Sequence, residues 1–455
     1  MDAADLDRRT RTQSGCIPPL LVSRLLELGH GDEVAFQAGQ GEWFCARDWA
    51  RRLGDQGRLA QALEVLTPYV ATGWWPAAQA QAELLENWGR VEEAIALACP
   101  YARTGGPPLE VLARLLARHG RNDEAVTRLI PGIEDWVLAT TLVEIAAGTD
   151  RDEDIAALLA ARIPADHRCE DPWCCRGLDP DTAVGLLAVI RERQGRVDEA
   201  IALLRTRHIT SVNHHDQLAD LLARHGRIEE LRAYARSEDL GLATQRLAEV
   251  LEEHGDVEGA IAAYRQTDDS DDSPVCRPRN AVQLAALLAR HGRGGEAIEV
   301  MRTVVDEPGG ADDWLVDTLC TLYADHGRAH DGLAHLDVLK ARHGGEEEWD
   351  FFMLRLRLMA DCGRLDEGIA RARVHPEGGT SYAAVTISDL LAKTGRTEEA
   401  VAVLEPHATA NRAAMAALLI ELGRVKEAVA LLQWRRSEPV EHVWSGTFRR
   451  TDRPQ

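Results

Sequence analysis

Apolar residues in this chain recur in short helical bursts broken by glycine. From Leu284 the sequence reads Leu-Ala-Ala-Leu-Leu-Ala-Arg-His-Gly-Arg-Gly-Gly-Glu-Ala-Ile-Glu-Val-Met, ending at Met301. Leu284, Ala285 and Leu288 share one side of a helix by i, i+1, i+4 spacing. Gly292 can take the left-handed conformation that ends a helix, and Ala297, Ile298 and Met301 begin a second apolar face. The pattern predicts a helical hairpin whose two faces meet across the Gly-Arg turn.

Versions of this hairpin run from one end of the chain to the other, at fixed offsets from the turn glycine. Seven residues before it stands a small residue: Ala50, Ala82, Ala113, Ala188, Ala219, Ala248, Ala285 and Ala416, with Cys320 and Ser388 near equivalents and Leu356 an exception. Five residues after it the chain is small again, at Ala62, Ala94, Ala125, Ala200, Ala260, Ala297, Ala400 and Ala428, while Leu231, Gly332 and Gly368 depart from alanine. Four residues before it a large apolar group is usual, with Arg191 the misfit. Small residues let paired helices approach closely, and large ones fill the groove between hairpins. Such a pattern specifies packing.

These residues resemble the tetratricopeptide repeat, a helix-turn-helix unit of about 34 residues. The resemblance covers most of residues 20 to 435 and implies an all-α superhelical solenoid of antiparallel helical hairpins. The spacing between turn glycines departs from a strict period, running from 28 to 37 residues in the regular stretches, and the proline expected near each unit's end is mostly missing. Related hairpin repeats of the pentatricopeptide and Sel1-like types fit the same pattern.

Taken in order, residues 1–17 lack periodicity and are expected to be a mobile leader. Residues 18–162 form an amino-terminal arm, opened by Pro18-Pro19, with a first irregular turn at Gly29-His30-Gly31 and a degenerate hairpin around Gly148. Residues 163–180 carry prolines, cysteines and a histidine and read as a loop inserted between repeats. A second arm spans 181–436, interrupted by the acidic stretch Asp268 to Pro274, and 437–455 is a tail with Arg449, Arg450 and Arg453. Turn glycines give roughly a dozen hairpins.

Composition narrows the function. A solenoid explains how 455 residues can grow one lengthwise core, and 5% aromatic, 45% apolar and 28% charged residues suit an alanine- and leucine-rich array. No uncharged apolar run approaches the ~20 residues that cross a bilayer, and Met1-Asp2-Ala3-Ala4-Asp5 has no apolar signal stretch. Nine scattered cysteines fit reduced thiols, so a cytoplasmic location is expected. Only Lys340, Lys393 and Lys426 are lysine against abundant arginine, the bias of a GC-rich genome such as an actinobacterial one. The formal net charge of −22 gives the wrong field for phosphate neutralisation and disfavours nucleic acid as a partner.

Candidate chemistry is sparse. No G-x-x-x-x-G-K-[ST], H-E-x-x-H or G-x-S-x-G is present, and Gly39-Gln40-Gly41 fails a dinucleotide fingerprint at Phe44. The reading is therefore of a non-enzyme with no cofactor. His167, Cys169, Cys174 and Cys175 are the one cluster with metal-ligand chemistry. Adjacent cysteines rarely reach one ion and no second knuckle is present, so a loop-fixing role is expected. His119, His225, His254, His291 and His326 each precede a turn glycine and are expected to cap the last turn of a helix.

The positive argument is geometric. Offsets −10, −6 and −2 from each glycine lie opposite the core side of the first helix, and in tetratricopeptide-like arrays that side lines a concave groove that binds peptides. Here the stripe is mixed in charge, with Arg114, Arg118, Asp220, Arg224, Arg290, Asp325 and Arg357 as groove candidates. The Lys and Asn pair of peptide-carboxylate clamps is missing. The expectation is a protein-interaction scaffold or adaptor that binds a protein or peptide segment. The alternatives are pentatricopeptide-like RNA recognition, which calls for a continuous basic lining, and a regulatory sensor of a small peptide.

Overall fold

In a computed structural model the described residues are 2–163, 177–207, 211–212, 215–237, 241–265, 278–307, 312–342 and 344–433. Among them are 27 α-helices, and those from Pro19 onward follow one another as thirteen helix-turn-helix pairs. The all-α expectation holds, apart from one antiparallel pair of two-residue strands, Ser211–Val212 and His215–Asp216. Residues 164–176, 266–277 and 434–455 lie outside the described residues. With them lie His167, Cys169, Cys174 and Cys175, most of the inserted loop, the acidic stretch and the tail.

Each hairpin is built as its glycine dictates. At Gly292 the backbone takes φ 72°, which returns the Gly292 N–H to the Ala289 carbonyl at 3.0 Å and the Arg293 N–H to the Leu288 carbonyl at 2.8 Å. This double bond at the helix end satisfies carbonyls that otherwise have no partner. The same arrangement recurs from Gly57 to Gly423 at every regular turn, the degenerate turn at Gly148 excepted. Arginine after the glycine then pairs with an acid three residues on, as in Arg90–Glu93, Arg196–Glu199, Arg293–Glu296, Arg364–Glu367 and Arg424–Glu427. The residues at offset −7 are all buried, Cys320, Ser388 and Leu356 included.

The exceptions to the small-residue rule explain one another. A Cβ on Gly368 would meet Leu356 Cδ1 at 2.5 Å, so the leucine at the −7 position of this hairpin uses the space that an alanine methyl would take at +5. A Cβ on Gly332 would meet Leu358 Cδ1 at 2.8 Å and the Tyr323 side chain at 3.2 Å. Arg191, the misfit at −4, turns outward to Glu153 at 3.1 Å.

The degenerate hairpin at Gly148 keeps the helical pattern with a shifted register. Its helices are Trp136–Ile145 and Asp152–Ala160, and Leu138, Ala139, Thr141, Leu142, Val143 and Ile145 are buried in the first.

The chain divides into two compact units, one of residues 1–77 together with residues from 391 onward, the other of residues 78–390. Within the first unit the hairpin Pro19–Glu27/Gly31–Gly39 lies beside the hairpin Arg412–Glu421/Val425–Gln433. Arg24 makes two bonds to Glu421, at 2.5 and 2.9 Å, and the Gln433 amide donates to Gln37 Oε1 at 2.6 Å.

Residues 1–17, expected to lack regular structure, contain the helix Ala3–Thr12. Asp2 caps it by accepting from the Asp5 N–H, and its single buried side chain is Leu6. Its Arg9 is ion-paired with Glu42, a buried carboxylate that also accepts the Ile17 N–H at 3.2 Å. One leucine in ten residues leaves no periodicity to read, so tertiary contacts decide this helix.

Candidate functional site

The outward stripe of the first helices is occupied as its spacing requires, but most of its arginines are engaged with neighbouring hairpins. In the unit of residues 78–390, Arg118 holds Glu86 at 2.7 and 2.8 Å, Arg224 holds Glu192 at 2.8 and 3.0 Å, and Arg290 reaches Glu252 at 2.8 Å. In each case the glutamate stands three residues before the preceding turn glycine. The histidine next to each arginine bonds the same carboxylate: His119 to Glu86 at 3.0 Å, His225 to Glu192 at 2.9 Å and His291 to Glu252 at 2.8 Å. Each boundary thus carries one carboxylate shared by a guanidinium and an imidazole.

This corrects the expectation that all five histidines cap their own helix. Only His254 and His326 turn back, to the Val250 and Leu322 carbonyls at 2.6 and 2.9 Å. The reason is the residue across the boundary. Where the preceding hairpin offers Ala223 or Ala289 in place of a glutamate, the ring bonds a carbonyl of its own helix. The His326 ring lies against Gly294, where a Cβ would collide with it, and most other hairpins carry a larger apolar residue at the equivalent position.

The shared carboxylates titrate low. Hydrogen bonds from Arg118 hold Glu86 below the usual carboxylate range, aided by His119 and opposed by burial. At Glu192 burial is the largest influence and works upward, yet the bonds from Arg224 and His225 together carry the carboxyl down. Glu252 is lowered mainly by Arg290.

A second row of pairs lies beyond the turn. Arg121 reaches Glu92 at 3.2 Å, Arg227 pairs with Asp198, and Arg293 reaches Glu258 at 2.6 Å, at the same three boundaries.

Of the remaining groove candidates, Arg114 bonds Glu110, Glu144 and Thr141, and Asp220 lies 3.3 Å from Arg246. Arg357 bonds Asp317 at 2.6 Å and Thr321 at 3.3 Å. Asp325 is exposed. Asp216, expected on the outward stripe, is instead buried: it caps the helix Gln217–Arg224 through the Ala219 N–H and accepts the Tyr234 hydroxyl at 2.6 Å.

What the stripe analysis missed is aromatic. Trp136 is 63% exposed, Trp314 49% and Tyr382 47%, and each sits in the first turn of a first helix. Stepping back three residues from offset −10 would have found Trp314 and Tyr382. Around them three consecutive first helices, Asp313–Asp325, Trp349–Asp361 and Ser381–Lys393, are stitched side by side on their outer face. Arg357 joins the first pair through Asp317, and the Thr386 hydroxyl donates to Met353 Sδ at 3.3 Å to join the second. The result is a face with an exposed aromatic on each outer helix and Met353 and Arg357 between them.

The adjoining hairpin boundary is charged, with the Arg355 and Glu347 side chains buried in it. Arg355, 5% exposed, donates to Glu347 and to Asp337, each at 2.7 Å, and Lys340 lies 3.3 Å from Glu347. A cavity of about 250 Å³ adjoins it, lined by Leu336, Leu339 and Phe351 with Lys340 and Glu346 to Glu348. No group of three or more potential metal ligands occurs among the described residues.

Stacked helix-turn-helix units whose boundaries repeat the same side-chain bonds decide the class. The chain is a helical-repeat protein. No family model matches the sequence of this helical-repeat protein, and no curated protein matches it. Among solved structures it is similar to Naa15/Naa10 bound to HypK-THB, at 13% identity and a TM-score of 0.39, over 90% of this chain and 74% of that one. The pentatricopeptide repeat protein PPR10 from maize is similar at 14% identity and a TM-score of 0.34, over 88% of this chain. The match spans 59% of the maize protein's length. A tetratricopeptide repeat protein from Parabacteroides merdae is similar at 11% identity and a TM-score of 0.27, over 72% of this chain and 98% of that one. No helix of the described residues is long and apolar enough to cross a membrane.

Proposed function

We propose that this protein is a non-catalytic scaffold that holds a protein or peptide segment on the outer face of the helices Asp313–Asp325, Trp349–Asp361 and Ser381–Lys393. One observation carries the reading: Trp314 and Tyr382 remain about half exposed on a face whose other side chains tie three helices together. Tryptophan, tyrosine and arginine dominate the energetics of protein interfaces, and folding gains nothing from leaving large rings in water. Asp317, Asp325 and Asp361 on the same helices place negative charge where a phosphate backbone would lie, which favours a protein ligand over RNA. The arginines at 114, 118, 224 and 290 contribute through the pairs that join hairpins, and reversing their charge would disturb those joints before it reported on any ligand.

The test is affinity capture from native lysate with the wild type and with a Trp314→Ala/Tyr382→Ala variant of matched helicity, each divided into RNase-treated and untreated halves. A stoichiometric protein should survive RNase on the wild type and fall at least about tenfold on the variant, the loss expected for hot-spot truncation. Equal retention by the variant would refute the face, and capture that depends entirely on RNA would refute the ligand class.

A further inference from the structure

Successive hairpins in the array are joined by the chain itself, but the first and last described hairpins are not. The two parts of their unit, residues 1–77 and the residues from 391 onward, connect only through residues 78–390. Every bond across that seam is therefore of the kind that forms between separate molecules. The bonds are specific: Arg24 grips Glu421 with two nitrogens, Arg24 also contacts Glu27 at 2.9 Å, and the amides of Gln433 and Gln37 meet at 2.6 Å.

The sequence of the last hairpin matches this use. Three residues before the turn, where three interior hairpins carry Glu86, Glu192 and Glu252 and others an alanine, it carries Ile420, which is buried. An end hairpin that faced water would be expected to keep a polar outer side. On the first hairpin, Leu20 and Leu28 stand on either side of Arg24 at i, i+4, i+8 spacing, and both are exposed.

We propose that this seam is an exchangeable interface whose second occupant is another copy of the chain, the first hairpin of one copy docking on the last hairpin of the other. The geometry is the one already present within the chain, so the bonds are the same, and only concentration decides between the two arrangements. Two copies that exchange hairpins reciprocally satisfy both seams and close as a two-fold pair, with no surface left to propagate. The ion pair is half exposed, so it selects the partner and holds the seam lightly.

Cysteine trapping tests this on the full chain. In the doubly substituted Gln37→Cys/Gln433→Cys protein at low concentration, mild oxidation should give a 37–433 disulfide within one chain, identified by peptide mapping. Mixing Gln37→Cys with Gln433→Cys as separate proteins should give a covalent dimer with the same 37–433 linkage, rising as concentration is raised from about 1 µM to about 500 µM. Arg24→Glu in the first protein alone weakens its own seam and one seam of the mixed dimer equally, so dimer yield should change little. Adding Glu421→Arg to the second protein leaves both monomers mispaired but sets opposite charges together at both seams of the mixed dimer, so its yield should rise several-fold. An intramolecular disulfide with no 37–433 dimer at any concentration would overturn the proposal. A dimer indifferent to both charge reversals would overturn the seam as its basis.

Discussion

At the scale of residues, the chain uses arginine as a joint between hairpins. Arg118, Arg224 and Arg290 are each about half exposed, so each pair is worth at most about 1 kcal/mol, and the partly shielded glutamates carry the pH dependence. Glu86, Glu192 and Glu252 all titrate below the ordinary 4.5. A carboxyl lowered on folding stabilises the native state above its unfolded value, and that contribution is lost as pH falls through the lowered folded value. The triple variant Glu86→Gln/Glu192→Gln/Glu252→Gln should therefore have a lower urea midpoint than the wild type at pH 7. The gap should close once the pH is taken well below 4.5. An unchanged gap across that range would mean that the carboxylates stabilise by shape alone. The pairing was legible in part: glutamate at −3 of one hairpin and Arg-His at −2 and −1 of the next are visible in the sequence. Their contact depends on how hairpins stack.

At the scale of elements, packing is set by pairs of positions across one turn. Offsets −7 and +5 are small together in most hairpins, and in one hairpin Leu356 fills the space beside Gly368. Gly368→Ala should destabilise by about 1 to 3 kcal/mol, as overpacking does in a filled core. Leu356→Ala alone should cost about 2 to 5 kcal/mol through the cavity it leaves. Combined, the two substitutions recreate the Ala-Ala pairing of the other hairpins, so the double variant should lose less than the sum of the single losses, by at least about 0.5 kcal/mol in chemical denaturation. Strict additivity would show that the two sites do not share the space. Each irregularity is visible in the sequence as an exception, and the shared space between Leu356 and Gly368 is the reason that the two exceptions fall in the same hairpin.

At the scale of the whole molecule, the excess of acid over base gives a net charge of −22, and the many local ion pairs leave that excess in place. Net charge far from zero opposes compaction through self-repulsion, and salt screens this over about 10 Å at 0.1 M. Exposed pairs are weakened by the same screening but contribute little individually. The midpoint of thermal unfolding should therefore rise between low salt and about 0.3 M NaCl. A fall would show that the boundary ion pairs together outweigh the repulsion.

The helical hairpins, their turns and their buried faces were determined by the sequence alone, because each depends on residues within about twelve positions of a glycine whose backbone only glycine adopts easily. Local order of that kind is written locally. Four features depended on tertiary structure: the helix Ala3–Thr12 held by Leu6 and Arg9, the choice each histidine makes between its own helix and a neighbour, the burial of Asp216 against the Tyr234 hydroxyl, and the meeting of the first and last hairpins at Arg24 and Glu421. In each, the deciding partner lies on another element or the choice turns on a neighbouring hairpin. Periodicity records which side of a helix is buried, and it holds no record of which surface arrives to bury it.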